Sequence, residues 1–241
     1  MPLSLVLLLG CENALKDDKM DANEFFTDLK LLQAAQAVER GDAARLKLLV
    51  VEGLNVNAQG RHGMTLLIWG ISKQQKASIR ALLELKADPN LKLEDGDSAV
   101  TLAAGAKDIG MLRLLLDHGG NPNARNALDE PAIFEAGDRS LWDHFDLLVS
   151  RGADIDAADA SGATLLLRLA SQNRYEEVER LIPRGFDIRK ADSNGATLAW
   201  YVDSEGPSPG TAQAQARDRV KKMLQQQGVR FPVPLPLPPK T

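Results

Sequence analysis

A repeat of 33 residues restricts what this chain can become more than any other feature of it. The marks Gly53-Leu54-Asn55-Val56-Asn57, Lys86-Ala87-Asp88-Pro89-Asn90, Gly119-Gly120-Asn121-Pro122-Asn123, Gly152-Ala153-Asp154-Ile155-Asp156 and Gly185-Phe186-Asp187-Ile188-Arg189 each begin 33 residues after the one before. Leu49, Leu82, Leu115, Leu148 and Leu181 keep the same interval, and so do Thr65, Ser98, Pro131, Thr164 and Thr197. Three columns at one spacing do not arise from composition. A period of this size belongs to a row of units, each too small to bury its apolar face alone and each burying it against the next.

Each column has a physical reason. Thr65, Ser98, Thr164 and Thr197 precede apolar runs, where a hydroxyl caps a helix by accepting from its unpaired amides. Pro131 suits a helix start because its missing amide has no partner there anyway. Gly63, Gly96, Gly162 and Gly195 stand where the chain turns, and glycine adopts positive φ without steric cost. Asp129 breaks that column, so a less regular turn is expected there. Leu46, Ile79, Leu112, Phe145 and Val178 fall three residues before the leucines, giving each second helix an apolar stripe of core type. Ala103, Ala136 and Ala170 keep the helix faces thin.

The stretch Asp159-Ala160-Ser161-Gly162-Ala163-Thr164-Leu165-Leu166-Leu167, continuing through Ala170, Val178, Leu181 and Gly185-Phe186-Asp187, resembles the ankyrin repeat, D-x-x-G-x-T-P-L-H-x-A-A followed by L-L and G-A-D-V-N. The resemblance covers about residues 29–231. It implies an all-α ankyrin-repeat solenoid of about six helix-turn-helix units, two of them caps, joined by hairpin loops. The family's T-P-L-H histidine is replaced by Ile68, Thr101, Phe134, Leu167 and Trp200, so packing is expected to take over from its hydrogen bonds.

The ends read differently. Residues 1–11 finish in Leu8-Leu9-Gly10-Cys11, which resembles the lipobox of bacterial lipoprotein precursors, and Cys11 is the single cysteine. A lone thiol after a short apolar run fits lipid attachment better than a disulfide or a metal, both of which need partners. The run is too short to span a bilayer, which takes about 20 apolar residues, and it lacks a basic n-region. A misplaced start or a plain apolar tail is the alternative. Glu12 after the cysteine favours the outer membrane over the inner in the enterobacterial sorting pattern. Residues 12–28 form a polar tether leading into a first helix, capped by Asp21 or Asn23, with Phe25, Phe26 and Leu29 on its apolar side. At the far end, an insertion of about ten residues around Gly206 interrupts the last unit. Residues 232–241 are a Pro-rich tail, extended by composition, that is expected to be disordered or to lie as a strip on the last helix, with a ligand for a groove as the alternative.

No constellation here performs chemistry. His62, His118 and His144 share no metal-ligand spacing, and no nucleophile elbow or phosphate-cradling loop occurs. No catalytic residue, cofactor or metal is expected, and the chain reads as a non-enzyme. The net charge of −4 offers no concentrated basic face for nucleic acid.

Binding to another protein is therefore the expected role, with a chain that is monomeric when free. In the ankyrin family the hairpin tips and first helices form one concave surface, and the resemblance places the residues at three repeat offsets there. Arg61, His62, Met64, Glu94, Asp95, Asp97 and Glu130 precede the Thr column, together with Leu128, Ser161, Ala163, Ser193 and Asn194. Trp69, Glu135, Arg168 and Tyr201 lie four residues after that column, with Leu102 at the same offset; Lys73, Arg139 and Gln172 lie eight after it, with Ala106 and Glu205. These offsets vary while the structural columns hold, as selection by a partner produces and as drift on a solvated surface also produces. Trp69 beside Lys73 and Arg61 has the composition of a hot spot, with packing against the next repeat as its alternative. The expected function is a periplasmic, lipid-anchored ankyrin protein that restrains a partner, such as an immunity protein blocking a secreted phospholipase toxin. A cytoplasmic adaptor, or a periplasmic protein supporting an enzyme such as a catalase, is the alternative.

Overall fold

The computed structural model describes residues 20–204 and 206–234. The lipobox-like segment with Cys11, the first part of the tether, Glu205 and residues 235–241 lie outside them. The described residues fall into two compact units, one ending at Ala153 and the other beginning at Asp154.

The first unit contains a short helix α1 (Ala22–Phe25) and four helix pairs. These are α2 (Leu29–Arg40) with α3 (Ala43–Val51), α4 (Leu66–Ser72) with α5 (Lys76–Glu84), α6 (Ala99–Ala104) with α7 (Ile109–Asp117), and α8 (Ala132–Asp138) with α9 (Trp142–Ser150). First helices pack on first helices (α2 on α4, α4 on α6, α6 on α8), and second helices likewise. Between them run the leucine column and its partners: Leu46, Leu49, Ile79, Leu82, Leu112, Leu115, Phe145 and Leu148 are all buried. The second unit holds two pairs, α10 (Leu165–Ser171) with α11 (Tyr175–Leu181), and α12 (Leu198–Asp203) with α13 (Ala212–Gln226). Its core is Val178, Leu181, Leu198, Val202, Val220 and Leu224.

The caps are where their residue types require. The hydroxyls of Thr65, Ser98, Thr164 and Thr197 accept from the amides of Ile68, Thr101, Leu167 and Trp200 at 3.1–3.4 Å. Pro131 starts α8 with no side-chain cap. Hairpin tips close through paired backbone at Lys92 and Ser98, Arg125 and Pro131, Ala158 and Thr164, and Ala191 and Thr197.

The Asp129 turn is regular after all. Asp129 takes φ 58°, in the left-handed region its glycine counterparts occupy, and its carboxylate accepts from Arg125 Nε at 2.7 Å. Aspartate tolerates this region better than most side chains, and the ion pair with Arg125 favours it further.

The missing histidine hydrogen bonds are replaced by more than packing. Ile68, Phe134 and Leu167 are indeed buried apolar residues. Thr101, also buried, instead donates to Asp97 Oδ1 at 2.7 Å and accepts from Ser98 N at 2.9 Å. Consecutive repeats are tied by a ladder at the last residue of the first four 33-residue marks. Asn57 accepts from Asp88 N at 2.7 Å and donates to Lys86 O at 3.2 Å. Asn90 accepts from Asn121 N at 2.7 Å and donates to Gly119 O at 3.0 Å. Asn123 donates to Gly152 O at 3.1 Å, and in the second unit Asp156 accepts from Asp187 N at 3.0 Å. Asn90→Ala removes both bonds of its rung, and urea denaturation is expected to show a loss of about 1–2 kcal/mol, at roughly 0.5–1.5 kcal/mol for each net hydrogen bond.

The C-terminal repeat is closed by Arg217. Its Nε donates to Val202 O at 2.8 Å and its Nη2 to Ser204 O, so a cation satisfies the carbonyl end of α12. Gly206 lies directly against this guanidinium, and a side chain there would have to displace it. The start of the Pro-rich tail folds back: Val233 N donates to Asp203 Oδ2 at 2.7 Å, and Lys221 Nζ lies 4.5 Å from the Phe231 ring centre.

Candidate protein-binding surface

The surface expected to meet a partner is built from hairpin tips and first helices, and the structure divides its residues into two kinds. One kind serves the repeat itself. In three of the hairpins the closing residue holds the tip with one side-chain atom and reaches the first helix, nine residues on, with another.

In the first unit Asn126 Oδ1 accepts from Leu128 N and Glu130 N, both at 2.9 Å, while its Nδ2 donates to Glu135 Oε1 at 3.3 Å. In the second unit Asp159 Oδ1 accepts from Ser161 N at 2.8 Å, and Asp159 Oδ2 lies 3.9 Å from Arg168 Nη1. Asp192 Oδ1 accepts from Asn194 N at 2.8 Å and Ala196 N at 3.0 Å, and Asp192 Oδ2 accepts from the Tyr201 hydroxyl at 2.8 Å. The same two positions carry the buried apolar pair Leu93 and Leu102. Glu135, Arg168 and Tyr201 are thus half-buried partners of their own hairpins. Their variation follows the closing residue, an explanation that neither partner choice nor drift supplies.

The electrostatics agree. Burial raises the Glu135 carboxyl, opposed by the Arg139 guanidinium 3.5 Å away. Burial, then the hydrogen bond to Asp192, pushes Tyr201 up to about 12.

Three of the expected surface residues are corrected by their burial. Met64 and Trp69 have no exposed area and Asp97 is 3% exposed. Trp69 is covered by Phe25 and Phe26, with ring centres at 5.6 and 5.9 Å, because α1 folds back over it. Asp97 faces inward to receive Thr101 Oγ1. Lys73 is half-buried, lying 4.7 Å from the Trp69 ring centre and donating to Met20 O at 2.8 Å. Arg139 is half-buried beside Glu135 and over Gly105.

The other kind is exposed. Arg61, His62, Glu94 and Gln172 face solvent, and Asp95 and Glu130 do so in part. His62 Nδ1 and Glu94 Oε2 join adjacent tips at 3.2 Å. Leu128, at the third tip, is 71% exposed. A large apolar residue at a hairpin tip is the signal that deserved more weight in the sequence, since nothing in a turn requires leucine there.

Nothing among the described residues groups three His, Cys, Asp or Glu side chains as a metal site, and no helix among them is long and apolar enough to cross a membrane. His144 is buried on α9, with Nε2 unpartnered. Burial lowers its pKa, against the raising effects of the Ala106 backbone, Asp143 and Asp108. The folded state therefore resists a proton that the unfolded chain accepts near 6.5. The stability His144 contributes is complete above that value and is lost as pH falls through the lower folded value. Thermal melts from pH 7.5 to 5 are expected to show a steeper decline for the native chain than for His144→Leu; parallel declines would contradict this.

Residues 31–126 match the family model for ankyrin repeats, in three copies. The chain is 36% identical over 118 residues to Protein PhlB of Serratia liquefaciens, a match covering 48% of this chain and 52% of that protein. It thus spans about half the length of that relative. Among solved structures, it resembles an ankyrin repeat domain from Acinetobacter baumannii with a TM-score of 0.67 and 21% identity, over 82% of this chain and 98% of that one. It also resembles a chain in the complex of a predatory endopeptidase from Bdellovibrio bacteriovorus with an immunity protein, at a TM-score of 0.62 and 22% identity, over 81% of this chain and 97% of that one. The chain carries ankyrin repeats, and its fold is the all-α ankyrin-repeat fold.

Proposed function

We propose that this chain is a bacterial envelope protein that binds and restrains a protein toxin or effector, held at the membrane by lipid on Cys11. Ankyrin repeats are protein-binding modules, and that fold is typically a non-catalytic scaffold. The observation that carries the reading is the set of tip residues left exposed once the repeat's own needs are met: Arg61, His62, Glu94 and Leu128. They put charge of both signs and one apolar contact on successive fingers. That composition suits a folded protein partner better than a small molecule, which takes a concave and largely apolar pocket. Similarity of fold to a chain in an endopeptidase–immunity protein complex supports restraint as the kind of binding. The lipobox-like sequence supports the anchor.

The test is co-purification of the full chain with the product of the adjacent gene, followed by protection of cells expressing that product. Leu128→Asp is expected to weaken the complex by about tenfold or more while leaving the melting temperature unchanged, because the side chain it alters is exposed. No complex at micromolar concentration, together with no protection, would sink the restraint reading. Incorporation of labelled palmitate that survives Cys11→Ala would sink the anchor.

A further inference from the structure

Residues 20–28 form a strap that lies along the first unit in a groove between α2, α4 and the turn at Arg61–Gly63. We propose that this strap is an internal ligand in a peptide-binding groove, and that the groove's external ligand is a short acidic segment carrying two adjacent aromatic side chains. The proposal rests on the reading of the tip and first-helix surface as the place where a partner binds.

The strap has the properties of a ligand more than of a repeat. It belongs to none of the four helix pairs, and its sequence, Asp21-Ala22-Asn23-Glu24-Phe25-Phe26-Thr27-Asp28, falls in none of the 33-residue columns. Its helix is four residues long, capped by Asp21 Oδ1 accepting from Asn23 N at 2.9 Å. A single turn is not stable in water by itself, so the groove supplies its order. Phe25 and Phe26 are its anchors, buried against Trp69. At the acidic start of the strap Lys73 helps to hold Asp21 below the usual carboxylate range, after the larger effect of its hydrogen bonds to Asn23; His62 lies edge-on to the Phe25 ring at 6.5 Å, and Asp28 ends the strap by capping α2 through the amides of Lys30 and Leu31.

The groove, for its part, is shaped for a backbone to enter. At Gly60 a Cβ would stand 2.4 Å from Phe25 O and 2.9 Å from Phe26 Cδ1, so glycine is needed where the strap crosses. The fit is also incomplete. Trp69 is wholly buried, yet its indole Nε1 has no hydrogen-bond partner among the described residues. A desolvated donor left unpaired is a standing cost, and a competing segment that brings an acceptor to that nitrogen gains what the strap forgoes. The strap's advantage is attachment, which gives it a high local concentration without any better contacts.

The experiment uses the full chain and a fluorescein-labelled synthetic peptide of residues 20–28, read by anisotropy and by tryptophan emission. Phe25→Ala with Phe26→Ala, made together in the full chain, loosens the tethered copy while leaving the groove intact. The expected result is binding of the native peptide to this double variant roughly tenfold or more tighter than to the native chain, and none by a peptide lacking both phenylalanines. A double variant that keeps its helical circular dichroism and cooperative melting yet gains no peptide binding would overturn the proposal. Loss of cooperative melting would overturn it equally, because the strap would then be a structural element of the core and not an exchangeable occupant. Peptide exchange without any protein partner would leave the groove standing and remove only the reading of restraint.

Discussion

Trp69→Ala is expected to lower the stability of the first unit by about 3–5 kcal/mol, the usual range for truncating a buried tryptophan. Trp69 is the largest fully buried side chain among the described residues, and both phenylalanines of the strap rest on it. The lost area is therefore felt by α1 and by α4 together. Guanidinium denaturation followed by circular dichroism measures the change. Trp142→Ala is the comparison, since Trp142 is half-buried and its removal opens no enclosed space. Equal losses for the two would show that Trp69 is not closed in as described.

Leu115→Ala is expected to cost about 2–5 kcal/mol. Leu115 is wholly buried on α7, in a pair with neighbours on both sides, α5 and α9. The adjoining backbone is already tight: a Cβ at Gly120 would stand 2.9 Å from Leu115 O. Collapse around the cavity is restricted there, which favours the upper part of the range. Leu128→Ala removes the same atoms from an exposed site and is expected to change stability by less than about 0.5 kcal/mol.

What could be read from the sequence was what recurs. A column repeated five times, such as Thr65 to Thr197, reports a requirement of the fold, and helix capping says which one. Leu115 and its counterparts were legible for the same reason. The site was less so, because variation has two causes that look alike in one sequence. Tyr201 donates to Asp192, and Glu135 accepts from Asn126 alongside Glu130; such pairing is invisible until nine residues of turn and helix bring the partners together. Trp69 was misread because the segment that covers it precedes the first repeat and shares none of its spacing. The Asn57, Asn90 and Asn123 marks were evident as a pattern, but their hydrogen bonds cross to a residue 29 or 31 positions away. Only the stacking of adjacent repeats sets that distance.

The nine-residue pairing also limits how such a surface can be redesigned. Randomising Glu135, Arg168 or Tyr201 one at a time would remove one partner of Asn126, Asp159 or Asp192, so that part of the library's diversity is spent on weakening the hairpins. A library that draws both members of each pair jointly, and varies the outward fingertips without constraint, would retain folded candidates across a far wider range of target chemistries.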